Sequence, residues 1–137
     1  IRQLLNLDQD FVEAQQIGKD TYISGGYVQR DDVQFEYKSP LKKNIKPEQM
    51  AAFKKLVSWV KSKDIELILV QAPVTTTEYH SYTDNTGFDK LMQNYSSYYN
   101  FNTLIILDDS LHFYDPHHLN QLGVETFNAE LIDLLID

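Results

Sequence analysis

"KPEQMAAFKKLVSWVKSKDIELILVQAP", Lys46 to Pro73, contains the change of pattern on which the fold turns. Its first half carries Met50, Phe53, Leu56, Val57 and Val60 at helical spacing, which predicts an amphipathic helix with that face inward. Pro47 stands where a helix can begin, since the first turn leaves its N–H unpaired in any case, and Glu48 suits the positive end of the helix dipole. The second half, "IELILVQAP", is a short and nearly continuous apolar run stopped by Pro73. A strand buried on both faces, as in a parallel sheet, reads in this way.

Toward the C-terminus the alternation repeats. Gly87–Tyr99 carries Phe88, Leu91, Met92 and Tyr95 at helical spacing, and "NTLIILDDS", Asn102–Ser110, reads as a second buried strand ending in acids. Gln121–Ile136 reads as a last amphipathic helix, with Val124, Phe127, Leu131, Leu134 and Leu135 inward. Helices and strands in this rhythm predict an α/β fold, a parallel sheet layered between helices. Ligands then sit at the carboxyl ends of the strands, which are expected at Gln71–Val74 and Asp108–Ser110.

Toward the N-terminus, Leu4, Leu5, Leu7, Phe11, Val12 and Ile17 predict a helix over Arg2–Ile17 that stops at Gly18. "DTYISGGYVQRDD" reads as loop with a short strand, and the Gly25–Gly26 pair suits a tight turn or a close approach to a ligand. Residues 31–47 look irregular. The chain thus reads as a single domain, with a variable helix-and-loop region over 1–45 and an α/β portion over 46–137.

Composition narrows the functional classes. The 137 residues suit one domain, and 42% hydrophobic with 23% charged is a globular composition. The net charge of −8 argues against nucleic acid and anionic membrane surfaces. The densest basic stretch, Lys42, Lys43 and Lys46 followed by Lys54 and Lys55, alternates with apolar residues as a solvated helix face would. With no cysteine, disulfides, thiolate metal sites and cysteine nucleophiles are excluded. No apolar run reaches transmembrane length and no signal peptide is visible. The chain opens on Ile1 inside a helical pattern, so an upstream segment is expected. Without a first strand, a sheet edge would be exposed, and self-pairing or aggregation of the fragment is expected.

Chemistry concentrates in "YDPHHLNQLG", Tyr114–Gly123. A histidine serves as general base near neutral pH when a carboxylate fixes its tautomer and stabilises the imidazolium. The D-x-x-H spacing lets Asp115 and His118 meet within one turn of loop. Asn120 can cap the following helix with its side-chain oxygen, and Gly123 permits close packing on a neighbour.

These residues resemble the C-terminal block of the SGNH (GDSL-type) hydrolase superfamily, where a D-x-x-H pair supplies the Asp and His of a Ser-His-Asp triad. "YDPHHLNQLGVETFNAELIDLL" is closer still to the branch of bacterial cell-envelope proteins that includes alginate O-acetyltransferases and the D-alanyl transfer proteins of teichoic acid synthesis. The resemblance covers about residues 46 to 137 in organisation and is specific over Tyr114–Gly123. It implies a three-layer, flavodoxin-like sheet, here an incomplete C-terminal fragment. It implies an esterase or O-acyltransferase acting on acyl esters of cell-envelope polysaccharide or another acylated small molecule. His118 would be the base and Asp115 its orienting acid, while His117 has no role. The protein would be exported, periplasmic or at the cell surface, with any membrane anchor outside this chain. No metal or organic cofactor is implied. The superfamily's Gly-Asp-Ser nucleophile block is missing: Ser24 and Ser39 lack its context, and Ser110 in "LIILDDSL" follows Asp108 where a small residue is needed. The nucleophile is therefore expected upstream of Ile1.

Two other readings remain open. Asp108, Asp109, His112, Asp115, His117 and His118 crowd together as metal-ligand types, although their spacing is not a convergent one. Nine tyrosines, clustered at Tyr79 and Tyr82 and at Tyr95, Tyr98 and Tyr99, suit a glycan-binding or interaction module without catalysis, or a helix face covering the sheet. His80 reads as an isolated surface residue.

Overall fold

The computed structural model describes residues 15–23, 27–33 and 45–136. They form a mixed α/β arrangement of short sheets and helices: β1 (Gln16–Ile17), β2 (Asp20–Ile23), β3 (Tyr27–Gln29), α1 (Pro47–Lys61), β4 (Ile68–Gln71), α2 (Thr76–Tyr79), α3 (Asn85–Gln93), β5 (Ser97–Asn100), α4 (Phe101–Leu104), α5 (Asp109–His112), β6 (Phe113–Asp115), β7 (His118–Leu119) and α6 (Gln121–Ile136).

The Lys46–Pro73 stretch folds as its pattern predicts at both ends. Pro47 opens α1, Glu48 lies in its first turn and Lys61 in its last, so both termini complement the helix dipole. Asp64, at φ 52°, takes the left-handed conformation that short polar side chains tolerate, just before the chain runs toward β4. Val57 is buried, and Phe53 meets Tyr95 edge-to-face at 5.4 Å. Leu56, expected on the inner face, is 57% exposed. β4 pairs in parallel with β5, and the crossover between them contains α2 and α3. Among the described residues β4 has no second neighbour, and Val70 is 39% exposed. The apolar run therefore makes a strand covered less completely than a double-faced burial would require.

The second parallel strand is Ser97–Asn100, not the expected Asn102–Ser110. Asn100 caps α4, its Oδ1 accepting from Asn102 N at 3.0 Å, so the chain coils into a helical turn where a strand was expected. Ile105–Leu107 is irregular, with Ile106 99% exposed. Asp108–Ser110 is accordingly no strand end, for Asp108 caps α5 instead. The preceding helix is shorter than Gly87–Tyr99: Asp84 caps α3 by accepting from Gly87 N, and α3 ends at Gln93, because the tyrosines beyond it enter β5.

At the N-terminal side, the helix expected over Arg2–Ile17 lies mostly outside the described residues. Its last two positions are strand: Gln16–Ile17 pairs with Asp20 and Thr21, and Gly18 turns the hairpin at φ 64°. β2 and β3 continue an antiparallel sheet, where the sequence suggested loop with one short strand. Gly25, Gly26, Ser24 and Ser39 lie outside the described residues. This small sheet docks on the C-terminal portion, with Arg30 over the Tyr114 ring at 4.3 Å and Tyr27 Oη donating to Gln121 Oε1 at 2.7 Å.

α6 spans Gln121–Ile136 as expected. Phe127 meets the fully buried Phe101 edge-to-face at 4.8 Å, tying α6 to α4. Leu135, expected inward, is 52% exposed. Among the described residues, no helix is long and apolar enough to cross a membrane.

Candidate functional site

Asp115 and His118 face each other across the β6–β7 hairpin. Phe113, 1% exposed, anchors the first arm. Asn120, almost completely buried, anchors the second: its N donates to His112 O, its Nδ2 to Leu111 O, and its Oδ1 accepts from Gly123 N at 3.0 Å. The expected cap is therefore present. Gly123 also lies against a neighbour, as expected: a Cβ built there would sit 2.1 Å from the His112 carbonyl oxygen.

The turn concentrates donors on one carboxylate. Asp115 Oδ1 accepts from the backbone N–H of His117 at 2.8 Å and of His118 at 2.9 Å. Both carboxylate oxygens lie 2.9 Å from His118 Nδ1. Such a bond places the neutral imidazole's proton on Nδ1 and leaves Nε2 as the acceptor. Partial burial pushes the Asp115 carboxyl up, but the His117 N–H, the His118 imidazole and the His118 N–H outweigh it and hold the group below the usual carboxylate range. The imidazole is 72% exposed and Asp115 is partly buried beneath it.

A long-range clip places this hairpin at the carboxyl end of β4. Thr75, with no exposed surface, donates its N–H to the Pro116 carbonyl at 3.1 Å. Asn102 Oδ1 accepts from Val74 N at 2.8 Å, and Asp109 accepts from Thr76 N and Thr76 Oγ1. The expected ligand-binding end at Gln71–Val74 is therefore where the D-x-x-H turn sits. Asp109 serves it as a fastener rather than as a strand end.

The remaining candidates separate. Ser110 Oγ donates to Asp108 Oδ1 at 2.5 Å, as a helix-start hydrogen bond would. His112 Nδ1 accepts from Asp108 N at 2.9 Å. His117 Nδ1 lies 3.7 Å from the buried Glu78. Among the described residues, no three His, Asp or Glu side chains converge as a metal site would require.

The sequence reading passed over a polar network behind this region. Asn100 Nδ2 donates to Asp89 Oδ1 at 3.0 Å and to Tyr79 Oη at 3.1 Å, and the Tyr98 hydroxyl lies between Asp89 and Gln71. Burial, and then Asp89, push the Tyr98 hydroxyl well above its usual range, so it stays a neutral donor. The signal was Asn100, an amide side chain between the aromatic Tyr99 and Phe101.

No protein-family model, curated protein or solved structure matches the chain.

The low Asp115 pKa has a sign. A carboxyl depressed on folding contributes stability above its unfolded value of about 3.9, and loses it as pH falls through the folded value. Acid titration of the denaturant midpoint is expected to fall more steeply for the native chain than for Asp115→Asn. Parallel curves below about pH 4 would show that the turn gains nothing from the charge.

Proposed function

We propose that these residues are the C-terminal part of a three-layer, parallel-sheet SGNH-like domain in an exported or membrane-anchored protein, and that the protein transfers or hydrolyses O-acyl esters of cell-envelope polysaccharide. The observation that carries this reading is the Asp115–His118 pair. One carboxylate, fixed by two backbone N–H groups, holds His118 Nδ1, and the other ring nitrogen is left to accept a proton. Its location at the carboxyl end of β4, clipped by Thr75, supports the same reading.

In the proposed reaction a serine from outside the described residues adds its oxygen to the acyl carbonyl, and His118 takes the hydroxyl proton. Asp115 stabilises the resulting imidazolium. Collapse of the tetrahedral adduct breaks the ester bond, and His118 returns the proton to the leaving alcohol. Water or a sugar hydroxyl then attacks the acyl-serine as His118 accepts its proton, and His118 passes that proton to the serine oxygen when the acyl–serine bond breaks. Hydrolase and transferase differ only in which of these reaches the acyl group.

The test is labelling of the whole protein with a serine-reactive fluorophosphonate, the adduct mapped by mass spectrometry. A single serine adduct, lost in His118→Ala, is the expected result. Equal labelling of native and variant proteins would remove His118 as the base, and a complete failure to label would favour a non-catalytic domain.

A further inference from the structure

A cleft of about 500 Å³ opens between the carboxyl end of β4 and the first turns of α3. Neither Asp115 nor His118 lines it. Its volume lies in the range of small-ligand sites, and its position beside Gln71 is the strand end where parallel sheets bind ligands.

The lining has two kinds of surface. Tyr82, Phe88, Leu91 and Ile45 supply apolar and aromatic area. Gln71, Thr83, Asp84 and Asn85 supply hydrogen-bonding groups, and among the described residues no Lys, Arg or His lines the cleft. Gln71 is held from behind, with one end of its amide 2.5 Å from the Tyr98 hydroxyl. Asn85 is held likewise, its Nδ2 donating to Tyr79 O at 2.9 Å. Among the described residues the other end of each amide makes no hydrogen bond, which leaves it available to a ligand. Asp84 has one oxygen engaged by Gly87 N, and it adds negative charge at the same place.

Fixed amides beside aromatic rings match a ligand with an apolar face and a rim of hydroxyls. Asp84, with no cation beside it among the described lining residues, opposes an anion. We infer that the cleft bounded by Gln71, Tyr82 and α3 binds a neutral sugar ring, stacked on Tyr82 and hydrogen-bonded to Gln71 and Asn85. This inference goes beyond the acyl-transfer reading and stands without it, since binding here uses no atom of the Asp115–His118 pair.

The test is titration of the ¹⁵N-labelled chain with methyl β-glucoside and N,N′-diacetylchitobiose as neutral probes, with glucose 6-phosphate as the anionic comparison and ethyl butyrate as the apolar one. Saturable shifts of the Gln71 side-chain amide and of the Asn85 and Gly87 backbone amides are expected with at least one neutral sugar. Tyr82→Ala is expected to weaken binding about tenfold through loss of stacking. Leu91→Trp, which fills the cleft while keeping every hydrogen bond, should abolish binding and serves if Tyr82→Ala does not fold. No saturable shift with either neutral sugar would overturn the inference. So would unchanged affinity in both variants, or tighter binding of the sugar phosphate or the ester. Fluorophosphonate labelling fails or succeeds independently of this titration, so the two readings can fall separately.

Discussion

His118→Ala in the whole protein is expected to lower acyl-ester turnover by about 10²–10⁴-fold, the usual contribution of a positioned general base. The fold should not change, because the imidazole is 72% exposed and its main contact is with Asp115. Asp115→Asn provides the sharper comparison. An asparagine oxygen can still accept from the His117 and His118 N–H groups, so the turn keeps its shape. The negative charge that stabilises the imidazolium is lost, and turnover should again fall by about 10²-fold or more. His117→Ala is the control, since His117 reaches Asp115 through its backbone and its ring lies toward Glu78 instead. Initial rates with an activated acyl ester, beside circular dichroism of each variant, decide the matter. Equal rates in His118→Ala and His117→Ala would end the catalytic reading of the hairpin.

Gly123→Ala is expected to be the most damaging single-methyl change. Two effects oppose each other. Alanine favours a helix over glycine by about 1 kcal/mol. Against that, the new Cβ would lie 2.1 Å from His112 O, 2.9 Å from Leu119 Cδ2 and 3.0 Å from His112 C. The Leu119 tip can swing aside, but the carbonyl at the end of α5 cannot, since it already accepts from Asn120 N. Overpacking against fixed backbone costs about 1–3 kcal/mol and at times more, so steric loss should exceed the helical gain. A net loss of about 2 kcal/mol would lower Tm by roughly 6–12 °C. The displaced α6 start should also loosen the Asn120 anchor and broaden the His118 ring signals in NMR. A raised Tm would mean that α5 and α6 separate freely.

Much of the geometry of the candidate site could be read in the sequence, and less of the architecture. Asp115, His118, Asn120 and Gly123 act through local geometry, within one hairpin and one helix start, so spacing was enough to relate them. α1 and α6 were legible because long amphipathic periods leave few alternatives. β5 was not. "SYYN" continued a helical spacing, and its tyrosines suit a strand only because Tyr98 finds Gln71 and Asp89 for its hydroxyl, a pairing that depends on the tertiary fold. "LIIL" misled in the opposite direction. Apolar runs mark burial only when something covers them, and here Leu104 and Ile106 face solvent among the described residues. The Tyr79–Asn100–Asp89 network was invisible for the same reason, since its members come from three separate elements.

The Thr75–Pro116 clip has a consequence for the order of folding. The β6–β7 hairpin is local and can close early, as short loops do. The β4–β5 pair must wait for its crossover, because distant contacts form only after the intervening chain is ordered. Thr75 joins the two across a separation of 41 residues. The histidine can therefore acquire its carboxylate partner before it acquires its place on the sheet. The proposed acid–base chemistry, which needs that place, is therefore expected to be gained late in folding and lost early when the crossover loosens.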